Sequence, residues 1–163
     1  RPAGQTRGDR GLVVVGRDYR RALLGDGRME EAGARVEKLR AYADGEGTSD
    51  QTQAKVTKKV GLVLADAMTA IRTGNPSRAV SLIWPVRYDI RLIGGSHAQR
   101  DVFEEMLVDA SLKGNDPRIA RALLAERTTR KPNSAWSWQR YGDALGDTPE
   151  ARTAKAHADA LLA

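Results

Sequence analysis

The chain has 163 residues, of which 40% are hydrophobic, 5% aromatic and 29% charged, with a net charge of +6. It has no cysteine and only two histidines, which excludes disulfides, thiolate nucleophiles and cysteine zinc sites and leaves too few imidazoles for a usual zinc shell. No metal or other cofactor is expected. The longest apolar runs, Leu12–Val15 and Gly61–Ala65, fall far short of the ~20 residues a membrane-spanning helix needs, so a cytoplasmic location is the default expectation.

Residues 1–11 have almost no apolar content and are expected to form a disordered basic arm ahead of a helical domain over 12–163. Residues 1–28 carry seven arginines against three aspartates, a net +4 of the total +6. Contact with nucleic-acid phosphates would come from this arm. A solvated tail is the simpler account of such a terminus. Because the sequence opens on Arg1, a processed product or a piece of a longer protein is expected.

Leu12–Val15 suits a short strand or a docked lead-in. Helix is predicted over Asp18–Leu24 and Arg28–Ala43, with Gly25 and Gly27 in the turn, giving a first hairpin over 18–43. Asp44–Gln53 is polar and glycine-containing and reads as the longest internal loop. The second hairpin, 54–93, has the clearest periodicity. Val60, Val63, Leu64, Ala67, Met68 and Ile71 recur at threes and fours and make one apolar stripe. Its partner helix starts at Pro76 and turns Ala79, Val80, Leu82 and Ile83 inward. Pro85 removes a backbone donor and crowds the preceding turn, which predicts a kink near Trp84 with the helix running on through Val86, Ile90 and Ile93.

The third hairpin, 96–130, opens at Ser96, which stands three residues before Gln99 as in a capping box. Val102, Phe103, Met106, Leu107 and Ala110 make its first stripe; Ile119, Ala120, Leu123 and Leu124 make its second. In the fourth, 134–162, Trp138, Tyr141–Gly142 and Leu145 have the tetratricopeptide spacing of large, large-plus-small and large residues. The final helix, Pro149 to about Leu162, is rich in alanine and more polar, as suits the end of a stack.

Three stretches punctuate this order: Gly74-Asn75-Pro76, Gly114-Asn115-Asp116-Pro117 and Gly146-Asp147-Thr148-Pro149. Glycine accepts the left-handed residue that ends a helix, an Asn, Asp or Thr side chain caps the next, and proline suits its first position. The three glycines stand 40 and 32 residues apart, bracketing the period of about 34 of tetratricopeptide-type hairpins. The predicted fold is all-α, an α-α superhelix (tetratricopeptide-like solenoid) of about four antiparallel hairpins.

Between Ala79 and Ser134 a family likeness emerges. Pro85-Val86-Arg87-Tyr88-Asp89-Ile90, Ile93-Gly94-Gly95-Ser96-His97-Ala98-Gln99-Arg100-Asp101-Val102-Phe103, Ala120-Arg121-Ala122-Leu123-Leu124-Ala125-Glu126-Arg127 and Lys131-Pro132-Asn133-Ser134 together resemble the tetratricopeptide repeat protein 38 family, in its C-terminal portion. The resemblance covers roughly a third of the chain strongly, and the Gly-Gly-Ser-His-Ala-Gln-Arg-Asp run is its most specific part. It implies a helical solenoid and an interaction scaffold, and it implies no reaction.

Stacked hairpins recognise partners through exposed side chains on a curved array, so the expected function is non-catalytic protein–protein interaction or scaffolding. Arg87, Arg91 and Arg100 cluster in sequence around the turn between two hairpins and suit bidentate capture of a carboxylate or phosphate. The alternative for them is pairing with Asp89, Asp101 or Glu104 along the helix surface. Trp136, two residues before the core position Trp138, either anchors a partner or packs on the preceding repeat.

An enzymatic or small-anion reading would centre on His97, Arg100 and Asp101 beside Ser96, at a helix start where free backbone donors gather. Adjacent Ser96 and His97 side chains diverge on a helix, and capping accounts for Ser96 without a substrate. No catalytic residue is therefore assigned. His157 reads as merely exposed. The candidate partner-binding residues are Arg87, Arg91, His97, Arg100 and Trp136, for an acidic protein or peptide, with self-association left open because repeats lacking a polar end stick to copies of themselves.

Overall fold

The computed structural model describes residues 29–45, 51–94, 96–114 and 116–163. The expected basic arm, Leu12–Val15 and the Asp18–Leu24 helix lie outside them. Every described element is helical: α1 (Met29–Asp44), α2 (Gln51–Val56), a π-helical turn (Thr57–Gly61), α3 (Leu62–Arg72), α4 (Pro76–Val86), a 3-10 segment (Asp89–Ile93), α5 (His97–Lys113), α6 (Pro117–Arg130), α7 (Ala135–Leu145) and α8 (Pro149–Ala160). Contacts gather these into two units, one running through Glu104 and one beginning at Glu105.

In the first unit, α2, the π turn and α3 form one continuous rod, because Val56 and Leu62 on either side of the turn keep right-handed helical backbone. Helix thus resumes at Gln51, inside the stretch expected to be loop. α1 packs along this rod, α4 packs on α3, and the 3-10 segment packs on the π turn. Being enclosed from several sides buries more of the rod than the single predicted stripe. Val60, Leu64, Ala67 and Met68 are buried as expected, and so are Thr57, Leu62, Ala65 and Ala70. Val63 and Ile71 are only half-buried. Ion pairs pin the rod's neighbours: Lys58 Nζ to Asp44 Oδ1 of α1 at 2.8 Å and Lys59 Nζ to Asp89 Oδ2 of the 3-10 segment at 2.7 Å. The hydrogen bond from Lys58, and then its charge, hold the Asp44 carboxyl below the usual aspartate range.

The second unit stacks α6 on α7 and α7 on α8. Leu107, Val108, Ala110, Ala120, Leu123, Leu124, Ala144, Ala151, Ala154 and Ala158 are its buried apolar residues. Along α5, Phe103, Leu107 and Ala110 of the predicted stripe are buried while Val102 and Met106 are half-buried, and Val108 and Ser111, outside it, are fully covered. Gly142 is the small residue of the predicted large-plus-small pair. A Cβ there would stand 2.6 Å from Lys155 Cγ and 3.1 Å from the Ala151 carbonyl oxygen, so its absence permits the close approach of α8. Trp138 is half-buried instead of filling the core; its ring nitrogen donates to the Pro132 carbonyl at 2.7 Å.

The punctuation marks form the turns the sequence predicts. After α3, Gly74 (φ 76°) is left-handed, Asn75 N–H donates to Ala70 O at 2.8 Å and Gly74 N–H to Ile71 O at 3.1 Å, the paired bonds of a Schellman motif. Asn75 Oδ1 then accepts from Arg78 N–H at 3.1 Å and caps α4. Between α7 and α8, Gly146 (φ 73°) donates its N–H to Asp143 O at 3.3 Å, and Thr148 Oγ1 accepts from Ala151 N–H at 3.1 Å and caps α8. Between α5 and α6 the wrapping bond runs from Asp116 N–H to Ser111 O at 3.0 Å. Asp116 departs from the expected pattern, because its side chain makes no capping bond and faces Arg118 Nε at 3.6 Å instead.

Candidate partner-binding surface

The surface that carries Arg87 and Arg91, two of the five expected binding residues, begins with Pro85. Pro85 has no N–H with which to continue the helical ladder, and α4 ends one residue later at Val86, to be followed by a turn and the tighter 3-10 segment. The helix therefore stops where a kink was predicted. Ile90 and Ile93 are nonetheless buried, as the continued spacing required. The stop leaves the Trp84 carbonyl without a helical successor, and Arg87 Nη1 donates to it at 2.7 Å.

That bond folds Arg87 back over two rings. Its guanidinium carbon lies 3.8 Å from the Trp84 ring centre and 4.2 Å from that of Tyr88, a doubly stacked cation. The carboxylate pairing considered for Arg87 is absent among the described residues. Asp89, the nearest candidate in sequence, is held by Lys59. Tyr88 is 60% exposed and Leu92 43%, and Arg91, exposed between them in sequence, has no ion pair among the described residues. One short stretch thus presents two large apolar side chains, a stacked guanidinium and a second arginine to solvent.

The other predicted residues are placed elsewhere. Arg100 Nη1 donates to the Gly94 carbonyl at 3.3 Å, closing the turn before α5. His97 is exposed at the first position of α5 and Asp101 is half-buried one turn on. Arg100 N–H donates to Ser96 O at 3.2 Å, which puts Ser96 at the helix cap; the Gln99 side chain of the proposed capping box is outside those described. Among the described residues no group of three or more histidine or acidic side chains is placed to hold a metal ion, and no helix is long and apolar enough to cross a membrane.

Trp136 belongs to a polar network in the second unit. It is half-buried on α7, with the Arg127 guanidinium 5.2 Å and the Arg140 guanidinium 5.9 Å from its ring. Arg127, on α6, is 1% exposed; its Nε donates to Ser137 Oγ at 3.0 Å and its Nη2 to Glu105 Oε1 at 2.9 Å. Ser137 Oγ in turn donates to Ser134 Oγ at 2.8 Å. Arg140 bridges Asp109 at 3.3 Å, and Asp143 is shared with Lys155 at 3.1 Å. Trp136 thus stands beside one arginine of α6 and one of its own helix, α7. His157, read as merely exposed, sets its ring edge against Trp138 at 4.7 Å.

Sequence reasoning passed over Trp84 and Tyr88, which flank Arg87 at i−3 and i+1, and Arg127, which extends the 120, 123, 124 stripe by one step of three. No protein-family model matches the chain, and no solved structure matches it.

Proposed function

We propose that this chain is a non-catalytic interaction module of the tetratricopeptide-like helical-repeat type, which holds a protein or peptide partner on the surface running from Trp84 to Leu92. The observation that carries this reading is the exposure of Tyr88 and Leu92 beside Arg87 and Arg91, neither of which meets a carboxylate among the described residues. Aromatic residues and arginine are the side chains most enriched in the centres of protein interfaces. The recurring glycine–proline turns between consecutive helices support the repeat assignment. The likeness to tetratricopeptide repeat protein 38 points the same way, toward a scaffold.

The test is panning of a displayed random-peptide library on the immobilised chain and on a Tyr88→Ala/Leu92→Ala variant with the same circular dichroism. Peptides retained by the first and lost from the second are the expected result. A library that yields no enrichment, or enrichment the double variant leaves intact, would refute the assignment.

A further inference from the structure

We infer that Arg87 is a pre-set carboxylate receptor, and that the occupant of the Trp84–Leu92 surface is an acidic peptide segment whose aspartate or glutamate docks on the Arg87 fork. This deepens the proposal above and rests on it. A free arginine side chain samples many rotamers, and a carboxylate that recruits it must oppose that entropy. Here the cost is already met within the chain. Stacking on Trp84 and Tyr88 at 3.8 and 4.2 Å fixes the plane of the guanidinium, and the 2.7 Å bond from Nη1 to the Trp84 carbonyl fixes its rotation within that plane.

The bond to the Trp84 carbonyl uses one nitrogen, Nη1. It leaves the Nε–H and Nη2–H edge, the pair of parallel donors that matches the two oxygens of a carboxylate. Among the described residues nothing accepts from that edge. Arg91 adds a second positive charge one helical turn further along, and Lys59 offsets Asp89, so the surface is net positive. Exposed Tyr88 and Leu92 supply contact for an apolar residue beside the acidic one. A single-stranded nucleic acid stacks its bases on free aromatic faces, and here the guanidinium covers one face of each ring, 3.8 and 4.2 Å from the centres.

The experiment follows the Arg87 Nε–Hε resonance of the full chain, assigned by its loss in Arg87→Lys, during titration with N-acetyl-Leu-Glu-Leu-Glu-amide. Parallel titrations use the glutamine counterpart and an oligothymidine. A saturable downfield shift with the glutamate peptide and none with the glutamine peptide is expected. In Arg87→Lys, binding read from the Tyr88–Leu92 backbone amides should weaken roughly tenfold or more, because a lysine ammonium cannot replace two charge-assisted bonds in one plane.

Equal binding of the glutamine peptide, an unchanged affinity in Arg87→Lys, no response to either peptide, or a stronger response to oligothymidine would each overturn the inference. The first two would leave the interaction module standing if panning still depends on Tyr88 and Leu92. Loss of that dependence would instead bring down the broader reading.

Discussion

Arg87 and Arg127 are both removed from ordinary surface pairing, by opposite means. Arg87 stays at the surface with a donor edge unused, whereas Arg127 is taken into the second unit and bonded to Ser137 and Glu105. A buried guanidinium is tolerated only while its partners are in place. Truncating it in Arg127→Ala removes the stem's packing and leaves Ser137 and Glu105 without their donor, and is expected to cost about 3 kcal/mol. Arg127→Met keeps most of the stem's volume and should lose roughly half as much. Urea unfolding of the two variants measures the difference; a loss below ~0.5 kcal/mol in Arg127→Ala would mean the network contributes nothing to stability. The apolar stripe was legible around this residue because Ala120, Leu123 and Leu124 recur at helical spacing. Arg127 was not, since a charged residue at the end of a stripe is ordinarily solvent-facing and only its partners on α5 and α7 reveal otherwise. The Arg87 stack escaped for a similar reason: it depends on where α4 stops.

The turns are the elements the sequence shows most clearly, because glycine, asparagine, threonine and proline act there through local backbone geometry. Gly74 and Asn75 do what their chemistry requires without reference to the rest of the chain. Pro85 shows the limit of that reasoning. A missing N–H permits either a kink or an end, and the choice falls to tertiary context, here the docking of Ile90 and Ile93 and the Arg87 bond to Trp84. The π turn was invisible for the same reason, as Gly61, a poor helix former, does not by itself specify which hydrogen-bond register the helix takes. Two glycines within helices separate these influences. A methyl group added at Gly33 in α1 would have nothing within 4 Å, while at Gly142 in α7 a Cβ would meet Lys155 Cγ at 2.6 Å and the Ala151 carbonyl at 3.1 Å. Gly33→Ala is therefore expected to stabilise the chain by about 0.5–1 kcal/mol through helix propensity alone. Gly142→Ala gains the same propensity but forces α8 away, and a net loss of about 1–3 kcal/mol is expected. Thermal melts of the two variants should move in opposite directions; a rise in both would mean that the α7–α8 approach is loose.

At the scale of the whole chain, the division of contacts falls within α5, between Glu104 and Glu105. Where contacts gather into two units, different stretches can open with different free energies. The most protected amides should lie where burial is most complete: Val60 to Met68 in the first unit, and Leu107, Val108, Leu123 and Leu124 in the second. If each unit opens as its own cooperative body, native-state hydrogen exchange will divide α5. Amides of 100–104 are then expected to share the opening free energy of α3 and α4, and those of 107–113 that of α6 and α7. Low concentrations of urea distinguish this from global opening, because the two halves would converge on different denaturant slopes, each set by the surface its unit exposes. One slope and one free energy from α3 through α8 would show that the helix transmits cooperativity across residue 104, and the chain would then have to be treated as a single folding body.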